Sequence, residues 1–208
     1  MQPSDASILS LKMPKLELST TTDATGAFRP LLEQGFLIQI KDNNTVQNAL
    51  CRQLGVPENY LRDRIQTVFL NGNAVDDETT AVVRDGDRLA LSASMPGLVG
   101  ATMRKGGFFS GLRAAISHQK SDVAAAAASN AVITIKLFNM VASEIGGIFL
   151  RKGILLRGEP FQAWWVHLKD DYRGQIASAA INGKNLGVEQ IKSNIGEAPF
   201  VQLRVLFQ

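Results

Sequence analysis

TVFLNG at 67–72 is a short apolar strand run that ends in Asn71-Gly72, the dipeptide most suited to a tight hairpin turn. Its counterpart is AINGKNL at 180–186, where Asn182-Gly183 falls 111 residues after Asn71. Working outward from the first turn, 84–87 (RDGD) reads as a second tight turn, and 88–93 (RLALSA) as the strand that follows it. Upstream, 36–42 (FLIQIKD) alternates as a strand with Phe36, Ile38 and Ile40 on one face. Asp42-Asn43-Asn44-Thr45 then starts a helix, with Thr45 as its N-cap. Val46, Ala49, Leu50 and Leu54 follow at helical spacing until Gly55-Val56-Pro57 stops the run. Residues 8–18 (ILSLKMPKLEL) read as an opening strand interrupted at Pro14, and STTTDATGAFRP after it reads as a loop.

The second half repeats this order. VITIKLF at 132–138 alternates, with Ile133, Ile135 and Leu137 on one face, and 147–156 (GIFLRKGILL) supplies a second strand. Glu159-Pro160 opens a helix carrying Phe161, Trp164, Trp165 and Leu168, which Gly174 closes. Residues 177–181 lead into Asn182-Gly183, and FVQLRVL at 200–206 is the last strand. The matching order predicts an internal duplication. The last four residues, VLFQ, match the left half of a viral-protease tag site and are expected to carry little fold information.

VFLNG at 68–72, DGDRLALSASMPG at 85–97, ITIKLF at 133–138 and AINGKNL at 180–186 resemble the β-grasp, or ubiquitin-like, fold. The branch they resemble is that of the molybdopterin-synthase small subunit and the thiamine sulfur carrier. The expected class is therefore α+β, as two tandem β-grasp modules at 1–97 and 131–208 joined by a Gly/Ala-rich connector at 98–130. The second module has Gly196-Glu197-Ala198-Pro199 where the first has its DGD turn. Carriers of that family act through a free terminal diglycine. Here the aligned place reads Met95-Pro96-Gly97-Leu98, with no diglycine, and a diglycine does occur mid-chain at Gly106-Gly107. Carrier chemistry would require cleavage before Phe108, with an activating enzyme and a protease as partners. Otherwise the pair is a flexible hinge.

The 208 residues carry 22 basic and 19 acidic side chains, and 45% of residues are hydrophobic, which suits packed modules and excludes a charge-driven disordered chain. The charges are unevenly placed: −3 over 1–97, then +3 over 98–130 and +3 over 131–208. That segregation is too mild to predict nucleic-acid binding, and lets the modules attract each other. One cysteine excludes an internal disulfide, and with two histidines it leaves too little for a metal centre, so no metal and no cofactor are expected. Neither a signal peptide nor a membrane span stands out, which makes a cytoplasmic setting the expectation.

The connector is the least ordinary segment. Among its glycines it carries Leu98, Val99, Met103, Phe108, Phe109 and Leu112, with basic Arg104, Lys105 and Arg113. A plain linker would be polar. The apolar residues either enter a partner's groove, sit near a membrane or nucleic acid, or tuck back onto a module. A protein partner is the expected reading, with a homo-oligomer also open, and neither nucleic acid nor membrane is expected. The candidate binding residues are Met103, Arg104, Lys105, Phe108, Phe109, Leu112, Trp164 and Trp165, with Gly106 and Gly107 as the processing site of the carrier alternative. The adjacent tryptophans diverge by about 100° on a helix, so one can pack inward while the other faces the module junction or a partner; a larger single core would also explain both. Candidate chemistry is thin. Cys51 reads as a structural thiol, His118 and His167 lack a nucleophile–carboxylate set, and Asp76-Asp77-Glu78 reads as a solvated acidic loop. No catalytic residue is expected.

Overall fold

The computed structural model describes Ile8, Arg113 and residues 11–21, 24–93, 97–109 and 129–208. It is a mixed α+β protein. In chain order come β1 (Lys15–Thr20), α1 (Thr25–Gln34), β2 (Phe36–Lys41), β3 (Asn44–Thr45) and α2 (Asn48–Gln53, with widened π-type turns). Next are α3 (Glu58–Asp63), β4 (Thr67–Leu70), β5 (Asn73–Ala74), β6 (Val82–Val83), β7 (Arg88–Ser92) and α4 (Gly97–Met103). The remainder is β8 (Asn130–Phe138), α5 (Met140–Lys152), β9 (Ile154–Arg157), α6 (Gly158–His167), α7 (Asp170–Arg173), β10 (Ile176–Ile181), β11 (Lys184–Leu186), α8 (Ile191–Ile195) and β12 (Phe200–Phe207).

Two compact units are present, and their boundaries differ from contiguous modules at 1–97 and 131–208. Gln39–Val141 forms most of the first, while Leu11–Ile38 and Ala142–Gln208 form the second. The strands expected to open each module account for the difference. β8 runs parallel to β7 in the first unit, with Arg88 opposite Thr134 and Leu91 opposite Leu137. β1 runs parallel to β12 in the second, with Lys15 opposite Gln202 and Thr20 opposite Phe207.

In the first unit the strand order is β8-β7-β4-β5, with β3 and β6 as a separate pair. Asn71 and Gly72 have φ of 52° and 83°, the two left-handed residues of a hairpin turn. The turn is tied to the DGD motif: Asn71 Nδ2 donates to Asp87 Oδ1 at 2.7 Å, and Arg88 N donates to Asn71 Oδ1 at 2.9 Å. The same motif receives β8. Val132 N donates to Asp85 Oδ1 at 2.8 Å, Gly86 N to Val132 O at 2.9 Å, and Thr134 N to Asp87 O at 2.9 Å. Thr45 Oγ1 accepts from Asn48 N at 3.2 Å, the capping geometry its sequence position predicts. Val46, Ala49, Leu50 and Leu54 are all buried.

In the second unit β1 lies between β10, to which it is antiparallel, and β12. Leu16, Leu18 and Thr20 are buried there. The strand begins only after Pro14, shorter than the expected 8–18. Residues 25–30, expected as part of a loop, open helix α1 (Thr25–Gln34), with Ala27, Phe28, Leu31 and Leu32 buried. Met140–Lys152 is helix α5 where 147–156 was expected as strand; Gly153 (φ 96°) breaks it and β9 follows. Val205 is fully buried in β12, so the VLFQ end takes part in the fold.

Candidate functional site

The candidate site lies in the first unit, where the connector between β7 and β8 is held against α3 and the acidic run after β5. Lys105 is its principal anchor: its backbone N–H donates to Gln66 O at 2.9 Å, and its Nζ donates to Leu61 O at 2.7 Å. The same ammonium pairs with Glu78 Oε1 at 2.9 Å, with only 11% and 15% of the two side chains exposed. Gly106 N donates to Asp76 Oδ1 at 3.0 Å. Arg113 Nη2 reaches the same oxygen at 2.6 Å, and Arg113 Nε donates to Thr102 O at 2.6 Å. The Arg113 side chain is 2% exposed, so its charge is buried with a carboxylate and a carbonyl satisfying it.

Asp76 and Glu78, expected as a solvated loop, are therefore the fasteners of the connector, and Asp77 caps its own turn by accepting from Thr79 N at 2.9 Å. The surplus of acid before residue 97 and of base after it, read as an attraction between modules, is in part discharged inside one unit.

What this anchoring holds outward is apolar. Phe108 is 95% exposed and Phe109 41%, with their rings edge to face at 5.2 Å. Leu98 and Val99, in the first turn of α4, are also exposed. Ala101, Arg104, Phe108 and Phe109 line a groove of about 680 Å³ together with Arg62, Asp63 and Gln66. Arg62 and Asp63 form a two-point pair at 2.8 Å, and the hydrogen bond from Arg62 holds the Asp63 carboxyl below the usual carboxylate range.

Met103, Arg104, Lys105, Gly106, Gly107, Phe108 and Phe109 are thus brought together on one segment; Leu112 lies outside the described residues, as does His118. Lys105 faces its own unit rather than a partner. Trp164 and Trp165 belong elsewhere: both are buried, in a cluster with Phe28 and Phe161 inside the second unit. Trp164 Nε1 donates to Ala27 O at 2.8 Å, which satisfies its one polar group. Neither ring is offered to a partner, and the larger-core explanation holds for both. Sequence reasoning missed Asp76, Glu78 and Gln66 as anchors; opposite charge at 76–78 and 104–113 was the available signal.

The diglycine is not a loose tail. Gly106 adopts φ 59° with its N–H bonded to Asp76, and Gly107 N donates to Arg104 O at 3.1 Å. Cleavage after Gly107 would divide the first unit between β7 and β8, whose Ala131, Val132, Ile133, Ile135 and Leu137 are fully buried. Cys51 is half-buried, and burial pushes its thiol up, reinforced by Glu58 and Glu78. That is the reverse of what a nucleophilic thiolate requires. Among the described residues no group of three or more His, Cys, Asp or Glu could hold a metal ion, and no helix is long and apolar enough to cross a membrane.

No family model, curated protein or solved structure matches the chain.

Proposed function

We propose that the protein is a non-enzymatic adaptor that binds another protein through the connector face of its first unit. One observation carries this reading: Phe108, Phe109, Leu98 and Val99 are exposed on a segment that two salt bridges fasten from beneath. Leaving a 95%-exposed phenylalanine in water forfeits the apolar burial that normally justifies such a side chain. A fastened segment also loses little conformational freedom on binding, which favours recognition by a fixed surface.

The units fit the proposal as β-grasp-type modules in permuted form. The central parallel pairs β7–β8 and β1–β12, and the Asn-Gly turns at 71–72 and 182–183, support that assignment. A cytoplasmic setting belongs to the same proposal. The alternative is a ubiquitin-like modifier or sulfur-carrier precursor cut after Gly107. The exposed Phe108 beside that bond favours it; the burial of β8 in the first unit weighs against it.

The test is cross-linking in lysate of the source cell, comparing the full chain with the Phe108→Ala/Phe109→Ala variant, with intact mass followed in parallel. The adaptor reading expects proteins joined to the wild type and missing from the variant, with the chain at full length. Equal recovery from both overturns it, and a product ending at Gly107 selects the carrier alternative.

A further inference from the structure

We infer that the groove beside Phe108 and Phe109 takes an acidic peptide segment with an apolar anchor, the carboxylate meeting Arg104. This deepens the adaptor reading and rests on it. The charge count around the groove identifies the complement. Residues 97–109 contain Arg104 and Lys105 and no acidic side chain. Lys105 is spent on Glu78, Asp76 on Arg113 and Gly106, and Asp63 on Arg62. Arg104 alone lines the groove with an exposed guanidinium that has no side-chain partner among the described residues. Among the described residues the groove therefore presents one positive charge without a carboxylate partner, next to two aromatic rings. An arginine offers a planar donor fork suited to a carboxylate.

The size is right for a peptide anchor. A volume of about 680 Å³ lies within the range of sites that enclose a few side chains. A bilayer is a poorer complement. One free basic side chain contributes only about 1 kcal/mol toward an anionic surface, and stable membrane attachment takes stronger or multiple signals. The deciding feature is a cation and two aromatic rings four and five residues apart on one fastened segment: it selects a partner segment carrying both acid and apolar anchor, as short docking motifs do.

The test uses fluorescein-labelled twelve-residue probes. One is built from Glu, Leu and Phe, a second replaces each Glu by Lys, and a third keeps Glu but replaces Leu and Phe by Ala. Anisotropy is read against the full chain, its Arg104→Glu variant and its Phe108→Ala/Phe109→Ala variant. Vesicles of phosphatidylserine and phosphatidylcholine form a separate arm. The Glu/Leu/Phe probe is expected to bind the wild type at least tenfold more tightly than either other probe. Arg104→Glu is expected to reverse the Glu-over-Lys preference, and the double alanine variant to lose binding of both apolar probes. Circular dichroism of each variant shows whether it is folded, and a single Phe108→Ala variant, at a 95%-exposed position, gives the same readout without touching the partly covered Phe109.

Equal binding of Glu and Lys probes, no change with Arg104→Glu, or vesicle binding without peptide binding each overturns the inference. So does self-association that excludes the probes. The two levels of the proposal fail differently. If cross-linked partners are lost with Phe108→Ala/Phe109→Ala but are retained with Arg104→Glu, the adaptor reading stands and the acidic peptide falls. If neither partners nor probes respond to the double alanine variant, both fall.

Discussion

Truncating Leu18 to alanine tests the interleaving of the two units directly. Leu18 is 1% exposed at the middle of β1, opposite Ala179 on β10 and Val205 on β12. Removing its three outer carbons takes away buried apolar surface and leaves a cavity at the sheet face where β1 lies between β10 and β12. Substitutions of this kind cost about 2–5 kcal/mol. At about 1.4 kcal/mol per tenfold, amides that exchange only through opening of the unit should exchange roughly thirty-fold to several thousand-fold faster. Hydrogen exchange read by mass spectrometry assigns that loss to segments. The structure predicts it in β10 and β12, 158 or more residues downstream of the substitution, and predicts a far smaller change in β4 and β7. Contiguous modules predict the opposite, with 67–70 and 88–92 losing protection. That outcome would refute the assignment of β1 to the second unit. Ile135→Ala in β8, at a fully buried position opposite Leu89, is the mirror experiment, and should release β7 and β4 instead.

Two further outcomes follow from local geometry. Gly72 holds φ 83° with open space around the place of a Cβ, so Gly72→Ala is penalised by backbone conformation alone; about 1–2 kcal/mol and a lowered Tm are expected in thermal unfolding. Burial raises the Cys51 thiol, so iodoacetamide should react more slowly than with N-acetylcysteine at pH 8, with a rate profile displaced to higher pH. Because the folded-state value lies above the unfolded one, this thiol's contribution to stability is present below the ordinary thiol range and declines as pH rises through the folded value; a Cys51→Ser comparison across pH 8–10 isolates it.

The individual strands and turns were readable because their signals are local. Alternation located FLIQIK and TVFL, and the Asn-Gly and DGD turns carry their own backbone requirements. Which sheet a strand joins is a different kind of information. Leu16 and Leu18 in β1, or Ile133 and Ile135 in β8, present a buried face whichever neighbours they find, since side-chain period does not name a partner. The deciding contacts are specific and distant: Asp85 and Gly86 receive Val132, while Lys15 N donates to Asn182 Oδ1 at 3.1 Å. Helices α1 and α5 were obscured by glycine, threonine and proline, residues that lower helix propensity. Gly146 of α5 lies against the Leu32 side chain of α1, so a Cβ there would require Leu32 to shift, a closeness that composition does not reveal. The tryptophans fit one core because the cluster closes on them from several sides: Phe28 stands 5.3 Å from Trp164, Phe161 stacks at 6.1 Å on Trp165, and the Arg173 guanidinium lies 5.6 Å from the Trp165 ring centre.

The same pairing explains why the connector is not a plain linker. Neighbouring strands that run parallel cannot be joined by a hairpin; the chain must return along the sheet before the second strand begins. β7 ends at Ser92, opposite Phe138 at the far end of β8, so the chain returns to Asn130 before β8 begins, and the segment between them connects two strands of one unit rather than tethering two units. A crossover must be held against its own sheet and helices, which accounts for Lys105 on Gln66, Leu61 and Glu78, and for Arg113 on Asp76. None of these anchoring contacts uses the side chains of Phe108, Leu98 or Val99, which are exposed. Among the described residues, the edge-to-face rings of Phe108 and Phe109 and the exposed Arg104 stand apart from those anchoring contacts. That separation of anchoring residues from displayed ones makes the functional proposal testable: Phe108, Phe109 and Arg104 can be changed while the contacts that fold the crossover stay in place.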